Sequence, residues 1–275
     1  AQSPPGFRGL PHLYRGEKGG LTPQRGNYCL LRRQLFPLYT YIDRGFDILI
    51  TPLLNTLTNL ILYHIIYMSK VTLVHSTKDG DELIAYMARV SNPTNQDNKD
   101  SSKLIKYLIK HKHWSPFEMV NMCVEINTTR SISAQILRHR SFSFQEFSQR
   151  YANVEELELP TPPDLRLQDS KNRQNSIDSD TIDTLNWQGS IQLHYAHCYR
   201  LYQNLIKDGI AKECAREVLP MGAPTRLYMN GTLRSWIHYC DLRTANGTQK
   251  EHQDIAKACQ QLIKTQFPLT YEVIS

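Results

Sequence analysis

Residues 119–151 read MVNMCVEINTTRSISAQILRHRSFSFQEFSQRY, and the architecture turns on them. In Met119–Asn127, Val120, Met122, Val124 and Ile126 alternate with Asn121, Cys123, Glu125 and Asn127. Side chains point to opposite faces of a strand at successive positions, so this period of two predicts a half-buried strand. Thr129–Arg140 then predicts a helix that runs into a polar, aromatic stretch.

Outward from this stretch the periods alternate. Toward the N-terminus, Ser101–His113 places Leu104, Ile105, Leu108 and Ile109 on one face and Lys103, Lys106 and Lys110 on the other, an amphipathic helix. Before it come an alternating strand at Lys70–His75 and a helix opened by Asp79, Asp81 and Glu82, whose charges suit a helix N-terminus. Toward the C-terminus, residues 160–186 are Pro-rich and then polar, which reads as a long surface excursion. Trp187–Lys207 predicts a long helix stopped by Asp208–Gly209, and a short helix from Ala211 ends at Pro220. A strand near Thr225–Met229 and helices across Gly231–Asp241 and Gln249–Thr265 complete the pattern, with no internal repeat. Residues 68–275 therefore read as one α+β domain.

The whole chain has 275 residues, 40% of them apolar, 21% charged and 9% aromatic, which excludes wholesale disorder, collagen-like repeats and a polytopic membrane protein. The net charge of +6 is unevenly placed: residues 1–67 hold 7 Lys and Arg against 3 acids, leaving 25 against 23 for the remainder. A body at only +2 lacks the surplus of a general nucleic-acid footprint, so any basic cluster in it is local. The 6 cysteines lie at wide spacings without a CxxC pair. That argues against a zinc ribbon or a disulfide scaffold and fits a reducing cytosol.

Residues 1–47 are rich in Gly, Pro, Arg and Tyr and show no useful periodicity. Ile48–Ser69 carries no charged residue over 22 positions, long enough to span a bilayer, although Pro52, Asn55, Asn59 and His64 weaken that reading. A membrane anchor, a structured extension, or a stretch upstream of a start at Met68 are the three readings. The expectation is that residues 1–67 form a non-native or disordered upstream extension, because the text changes character at Met68.

Chemistry-bearing residues gather in three runs. Arg138–Tyr151 holds three arginines, a histidine, a carboxylate and several hydroxyls within 14 residues. Arginine's planar fork of donors suits phosphate or an imide carbonyl. The competing reading is an RNA-binding loop with interleaved aromatics. His111–Glu118 has an HxH spacing, a weak metal signal without a further ligand nearby. Gly231–Arg243 spaces Arg234, His238 and Asp241 along one helical face, with Arg243 just beyond.

RHR at Arg138–Arg140, with Ser148 following inside RHRSFSFQEFSQRY, resembles the signature of the flavin-dependent thymidylate synthases. HWSPFE before it, and AREVLP, LRSWIHY and DLRTANGTQKE after it, resemble that family in the same order, and the resemblance spans Met68–Ser275. It implies a single α+β domain with a mixed or antiparallel sheet packed by helices, and a cytoplasmic homotetramer whose subunits share FAD sites. By the same resemblance, His113, Ser115, Arg138, His139, Arg140, Glu146, Thr232, Arg234 and His238 are expected to contact FAD. Gln135, Arg138, Glu146, Ser148, Gln149, Arg150, Arg216 and Arg243 are expected to hold dUMP, with NADPH and methylenetetrahydrofolate as co-substrates and no metal.

Those roles are chemically coherent. A uracil must become electron-rich at C5 before it accepts a one-carbon unit, and a guanidinium at its N3–C=O edge stabilises the anion that develops, the role expected of Arg243 as the catalytic residue. Flavin carries hydride and carbon, so no protein nucleophile is needed. Ser148 lacks a motif-level base and is expected only to hydrogen-bond dUMP. Classical thymidylate synthases use a cysteine in a Pro-Cys context, and no such dipeptide occurs here.

Overall fold

In Asn121–Thr129, the residues read as inward-facing, Met122, Val124 and Ile126, are fully buried, as alternation requires. The computed structural model describes residues 70–179 and 183–274. The expectations for residues 1–69, including the apolar run, lie outside the described residues.

The described strands are β1 (Lys70–Ser76), β2 (Asn121–Thr129), β3 (Ser143–Glu146), β4 (Leu167–Gln168), β5 (Ser176–Ile177) and β6 (Pro224–Thr232). The described helices are α1 (Gly80–Ala88), α2 (Ser102–Lys110), α3 (Arg130–Ile136), α4 (Thr184–Lys207), α5 (Lys212–Ala215), α6 (Leu233–Thr244), α7 (Lys250–Gln266) and α8 (Pro268–Ile274). Four strands form one sheet in the order β1-β2-β6-β3, and every pairing is antiparallel. The expected α+β domain is thus realised with a purely antiparallel sheet.

Helices α1, α2, α6 and α7 bring Ile84, Ile105, Trp236 and Ile255 onto the buried face of that sheet, joined by Phe267 at the junction of α7 and α8, and each is fully buried. Each such side chain contributes on the order of 1.5–3 kcal/mol by leaving water. The indole Nε1–H of Trp236 donates to the Met122 carbonyl at 2.9 Å, so its one polar group is satisfied in the core. A smaller cluster of Val154, Tyr199, Tyr202 and Ala215 lies under α4. Asp81, at the start of α1, accepts from the Leu269 N–H at 2.8 Å, the Thr270 N–H at 3.2 Å and the Thr270 hydroxyl at 2.6 Å. It thereby caps α8 from a distant element; burial pushes its carboxyl up while those bonds pull it down.

Three expectations need correction. The helix expected over Thr129–Arg140 stops at Ile136, because turns closed by His139 N–H to Ile136 O at 3.0 Å and Phe142 N–H to His139 O at 3.3 Å redirect the chain into β3. The reward is tertiary: Phe142 packs edge-on to Trp236 at 4.8 Å, over Gly231, where a Cβ would lie 2.4 Å from its ring. Residues 160–186 run over the surface as expected, but they carry structure of their own, and the helix expected from Trp187 begins before they end. They contain the β4–β5 hairpin, and α4 starts within them at Thr184, capped by the Asp183 carboxylate accepting from the Asn186 N–H. The helix expected from Gly231 starts at Leu233, because Gly231 and Thr232 complete β6.

Candidate active site

Two strand-to-helix junctions position the chemistry. Thr129 ends β2 and caps α3 by accepting from the Ile132 N–H; Thr232 ends β6 and caps α6 by accepting from the Ser235 N–H. The run Arg138–Arg140 lies just past the C-terminal end of α3, and Arg243 stands in the last turn of α6. Both positions suit cations, since helix C-termini carry partial negative charge.

The two ends meet. Arg243 donates through Nε to Nε2 of His139 at 2.9 Å. Burial, then the charge of Arg243, then His238, push the His139 imidazole down to about 4. His139 is therefore neutral near neutral pH and free to accept that hydrogen bond, so two potential cations coexist without repulsion. Beyond it, Tyr239 packs edge-on to His139 at 5.0 Å, and the wholly buried His252 lies at 6.3 Å from it. Gln135 joins the cluster from α3, with its Nε2 donating to Gln249 Oε1 at 2.7 Å.

Glu146 closes the opposite side of α3. Its Oε1 accepts from Ser133 Oγ at 2.5 Å and Thr225 Oγ1 at 2.9 Å and pairs with Arg130 Nη1 at 2.8 Å. Three donors on one oxygen fix the carboxylate and leave Oε2 without a hydrogen bond to any described residue. Near it, Gln149 is buried and its Nε2 has no hydrogen-bond partner among the described residues, an arrangement that invites a ligand acceptor.

The remaining expected site residues fall into two further groups. His113 is exposed at the end of a turn and stacks edge-on to Tyr107 at 5.9 Å; Ser115 opens the single turn Ser115–Glu118. Arg234 pairs with Glu118, which ties that turn to α6, while His238 is exposed on α6. Thr232 donates to Ser235 Oγ at 3.2 Å besides capping. Arg150 reaches Glu213 at 3.4 Å and lies over the Tyr151 ring at 5.7 Å, and Lys212 donates to the Tyr151 carbonyl at 2.8 Å, so the Ser148–Tyr151 turn is tied to the segment bearing Arg216. Arg216 itself reaches Glu217 at 3.5 Å. The first group does meet the arginine run and the cluster, since Ser235 Oγ donates to the Ser141 carbonyl at 3.4 Å and His238 acts on His139. No hydrogen bond or ion pair among the described residues joins the Arg150–Arg216 group to the Arg243 cluster.

Arg138 and Arg140 make no ion pair with any described residue, and with Leu137 they line a cleft of about 380 Å³. The unpaired guanidinium groups and the orphaned Gln149 amide supply donors that fit the phosphates of a flavin nucleotide and a nucleoside monophosphate, while the free oxygen of Glu146 can accept from a nucleotide N–H or hydroxyl. A larger hollow of about 520 Å³, lined by Lys78, Asp79, Glu82 and Gln266 among others, lies away from these residues and mixes both charges. Among the described residues there is no cluster of three or more metal-ligating side chains, and HxH remains the weak signal it was.

Comparison with known proteins bears on this geometry. The family model for thymidylate synthase complementing protein matches residues 72–269, a span holding every expected site residue. The chain belongs to that family. A probable flavin-dependent thymidylate synthase of Paramecium bursaria Chlorella virus 1 is 54% identical over 197 residues, covering 71% of this chain and 90% of the relative. A flavin-dependent thymidylate synthase of Synechocystis is 51% identical over 187 residues, covering 68% and 85%. The crystal structure of PolB from Streptomyces cacaoi, a UMP/dUMP methylase bound with 5-Br UMP, superposes with a TM-score of 0.67 at 29% identity, covering 74% of this chain and 93% of that one. The thymidylate synthase complementing fold expected from the motifs is therefore present, and the enzyme class of the relatives is a flavin-dependent methyltransferase.

Sequence reasoning missed two participants. His252 sits on the buried stripe of α7 with Ile255, Ala256, Cys259 and Ile263; its signal was a histidine at the apolar period. Arg166 donates to both Glu251 oxygens, at 2.8 and 3.0 Å, and straps the 164–178 segment onto the first turn of α7, with Lys250 to Asp164 at 3.1 Å beside it.

Proposed function

We propose that this chain converts dUMP to dTMP by reductive methylation, with methylenetetrahydrofolate as carbon donor, NADPH as reductant and FAD held between subunits of a homotetramer. The family match across residues 72–269 carries the reading. The flavin, when bound, supplies hydride and one-carbon transfer.

The chain's own residues bind, orient and stabilise charge. Arg138 and Arg140, with His113, Ser115, His139, Glu146, Thr232, Arg234 and His238, line the flavin nucleotide. Gln135, Arg138, Glu146, Ser148, Gln149, Arg150, Arg216 and Arg243 hold dUMP. Neutral His139 fixes Nε of Arg243, which leaves the two outer guanidinium nitrogens free of described partners and able to face the uracil N3–C=O edge together. Held there, Arg243 stabilises the anion that makes C5 nucleophilic, at no reorganisation cost when the charge develops.

A shared site is supported by the separation of the Arg150–Arg216 group from the Arg243 cluster, which no hydrogen bond or ion pair among the described residues joins. Exposed apolar side chains on α4, among them Leu185, Trp187 and Leu193, supply surface for association. No helix among the described residues is long and apolar enough to cross a membrane. The RNA-binding alternative is less favoured, because Phe142 is buried and Phe144 and Phe147 are half-buried, which leaves Tyr151 as the exposed aromatic ring of the 138–151 run. The test is direct: purified protein is yellow, its flavin band bleaches with NADPH when dUMP is present, and dTMP forms once methylenetetrahydrofolate is added. A colourless preparation with salt-sensitive RNA affinity would refute the reading.

A further inference from the structure

The Arg243 cluster contains a buried histidine that the chemistry above does not use. His252 is fully buried, and both its ring nitrogens face polar side chains: Nε2 lies 3.1 Å from the Tyr239 hydroxyl and Nδ1 lies 3.4 Å from Gln135 Oε1. The direction of the bonds follows from the amide. Gln135 donates through Nε2 to Gln249 Oε1 at 2.7 Å, so its Oε1 faces His252 and requires a donor there. That donor is Nδ1–H, which makes Nε2 the acceptor for the Tyr239 hydroxyl, whose proton burial holds in place. Tyr239, His252, Gln135 and Gln249 thus form one directed chain running from the core to the surface.

We infer that His252 is a positioning residue for the pyrimidine site, fixing the Gln135 amide with its second N–H left for an acceptor on the ligand. This rests on the dUMP reading above. The physical reason is that an amide has two nearly equivalent faces: without a donor at its oxygen, Gln135 can turn over and exchange its nitrogen and oxygen. The C4 carbonyl of uracil accepts from the amide N–H, whereas the C4 amine that replaces it in cytosine does not. His252 therefore acts on nucleobase discrimination through Gln135 without touching the ligand.

The test compares dUMP and dCMP binding to the flavin-loaded wild type, His252→Leu and His252→Asn by calorimetry. Asparagine can place its amide N–H near the position of Nδ1, whereas leucine offers no donor. The expected result is that His252→Leu binds dUMP about tenfold more weakly and narrows the preference over dCMP, while His252→Asn recovers most of both. Under turnover, KM for dUMP should rise in His252→Leu by more than kcat falls. Equal dUMP affinity in the leucine and asparagine variants, or a wild-type preference in His252→Leu, would overturn the assignment. Should the leucine variant not fold, nitrogen NMR of the wild type decides instead: an Nδ1–H tautomer at His252 supports the assignment, and an Nε2–H tautomer overturns it. Wild-type protein that shows the Nδ1–H tautomer but binds neither nucleotide would overturn the dUMP reading, and the ligand side of this assignment with it.

Discussion

Acidification should destabilise this protein through His252 and His139. Burial is the first cause that pushes each imidazole down from 6.5 to about 4, with Arg243 adding to it in both. Between those values the unfolded chain takes up protons that the folded one refuses. Stability is therefore fully present above about pH 6.5, falls as pH drops through the window, and stops falling below about pH 4. For His252 a drop from 6.5 to about 4 corresponds to roughly 3 kcal/mol; His139, less deeply buried, contributes less. Asp81, whose carboxyl is pushed up, works in the opposite direction, but it does so equally in any variant that leaves it alone. The assay is urea unfolding of wild type and His252→Leu at several pH values from about 7 down to about 4.5. Neutral pH should show the variant less stable, and the gap should narrow by about 2–3 kcal/mol on acidification, because the variant has no imidazole to charge. If the two stability curves run parallel across the window, the buried-imidazole argument is wrong.

Further outcomes follow from the same geometry. Arg243→Ala should keep its flavin yet lose about two to three orders of magnitude in dTMP formation, the scale of removing one preorganised charge-stabilising donor, as read by kcat on flavin-saturated protein. In Arg140→Ala, dialysis followed by absorbance should show flavin depleted relative to wild type, with the fold unchanged by circular dichroism. Removing Arg166 leaves the Glu251 carboxylate, at 12% exposure, without its partner. Arg166→Ala should cost about 3 kcal/mol and open the 164–178 strap to limited proteolysis; unaltered cleavage would show that the strap is held otherwise.

The strand at Met119–Asn127 was legible because alternation is a local property, and β2 shows it almost residue for residue. β3 was not legible. Its 4 residues are too few to display a period, and it exists because β6 offers an edge: Ser143 lies opposite Asn230 and Glu146 opposite Leu227. The end of α3 was missed for the same reason, since nothing in Leu137–Arg140 opposes a helix locally and only the pairing of β3 with β6 makes the chain turn. Polar composition between residues 160 and 186 hid the strap, because the Arg166 and Glu251 that hold it are 85 positions apart. The ordered motifs named the expected site residues, but they could not reveal which of those residues meet. His252 shows the limit most clearly, since a histidine in an apolar stripe is ordinarily a satisfied core residue, and its bond to Gln135 and its place beside His139 appear only in the folded chain.

The pairing of β2 with β6 explains why Arg243 and His139 come together at all. The two strands are antiparallel, with Asn121 opposite Thr232 and Thr129 opposite Pro224, so α3 and α6 leave the ladder from opposite ends. Each is started by a threonine that finishes a strand and caps a helix, and each helix delivers cationic side chains at its C-terminal end. A charged imidazole at His139 would repel the Arg243 guanidinium that lies against it. His139 resolves this by remaining neutral and accepting from Arg243, which turns a potential repulsion into the bond that aims the guanidinium. In a body whose overall balance is only +2, the positive charge of Arg243 stays available to the phosphate or pyrimidine edge of the proposed substrate because a neutral histidine, not a carboxylate, holds it in place.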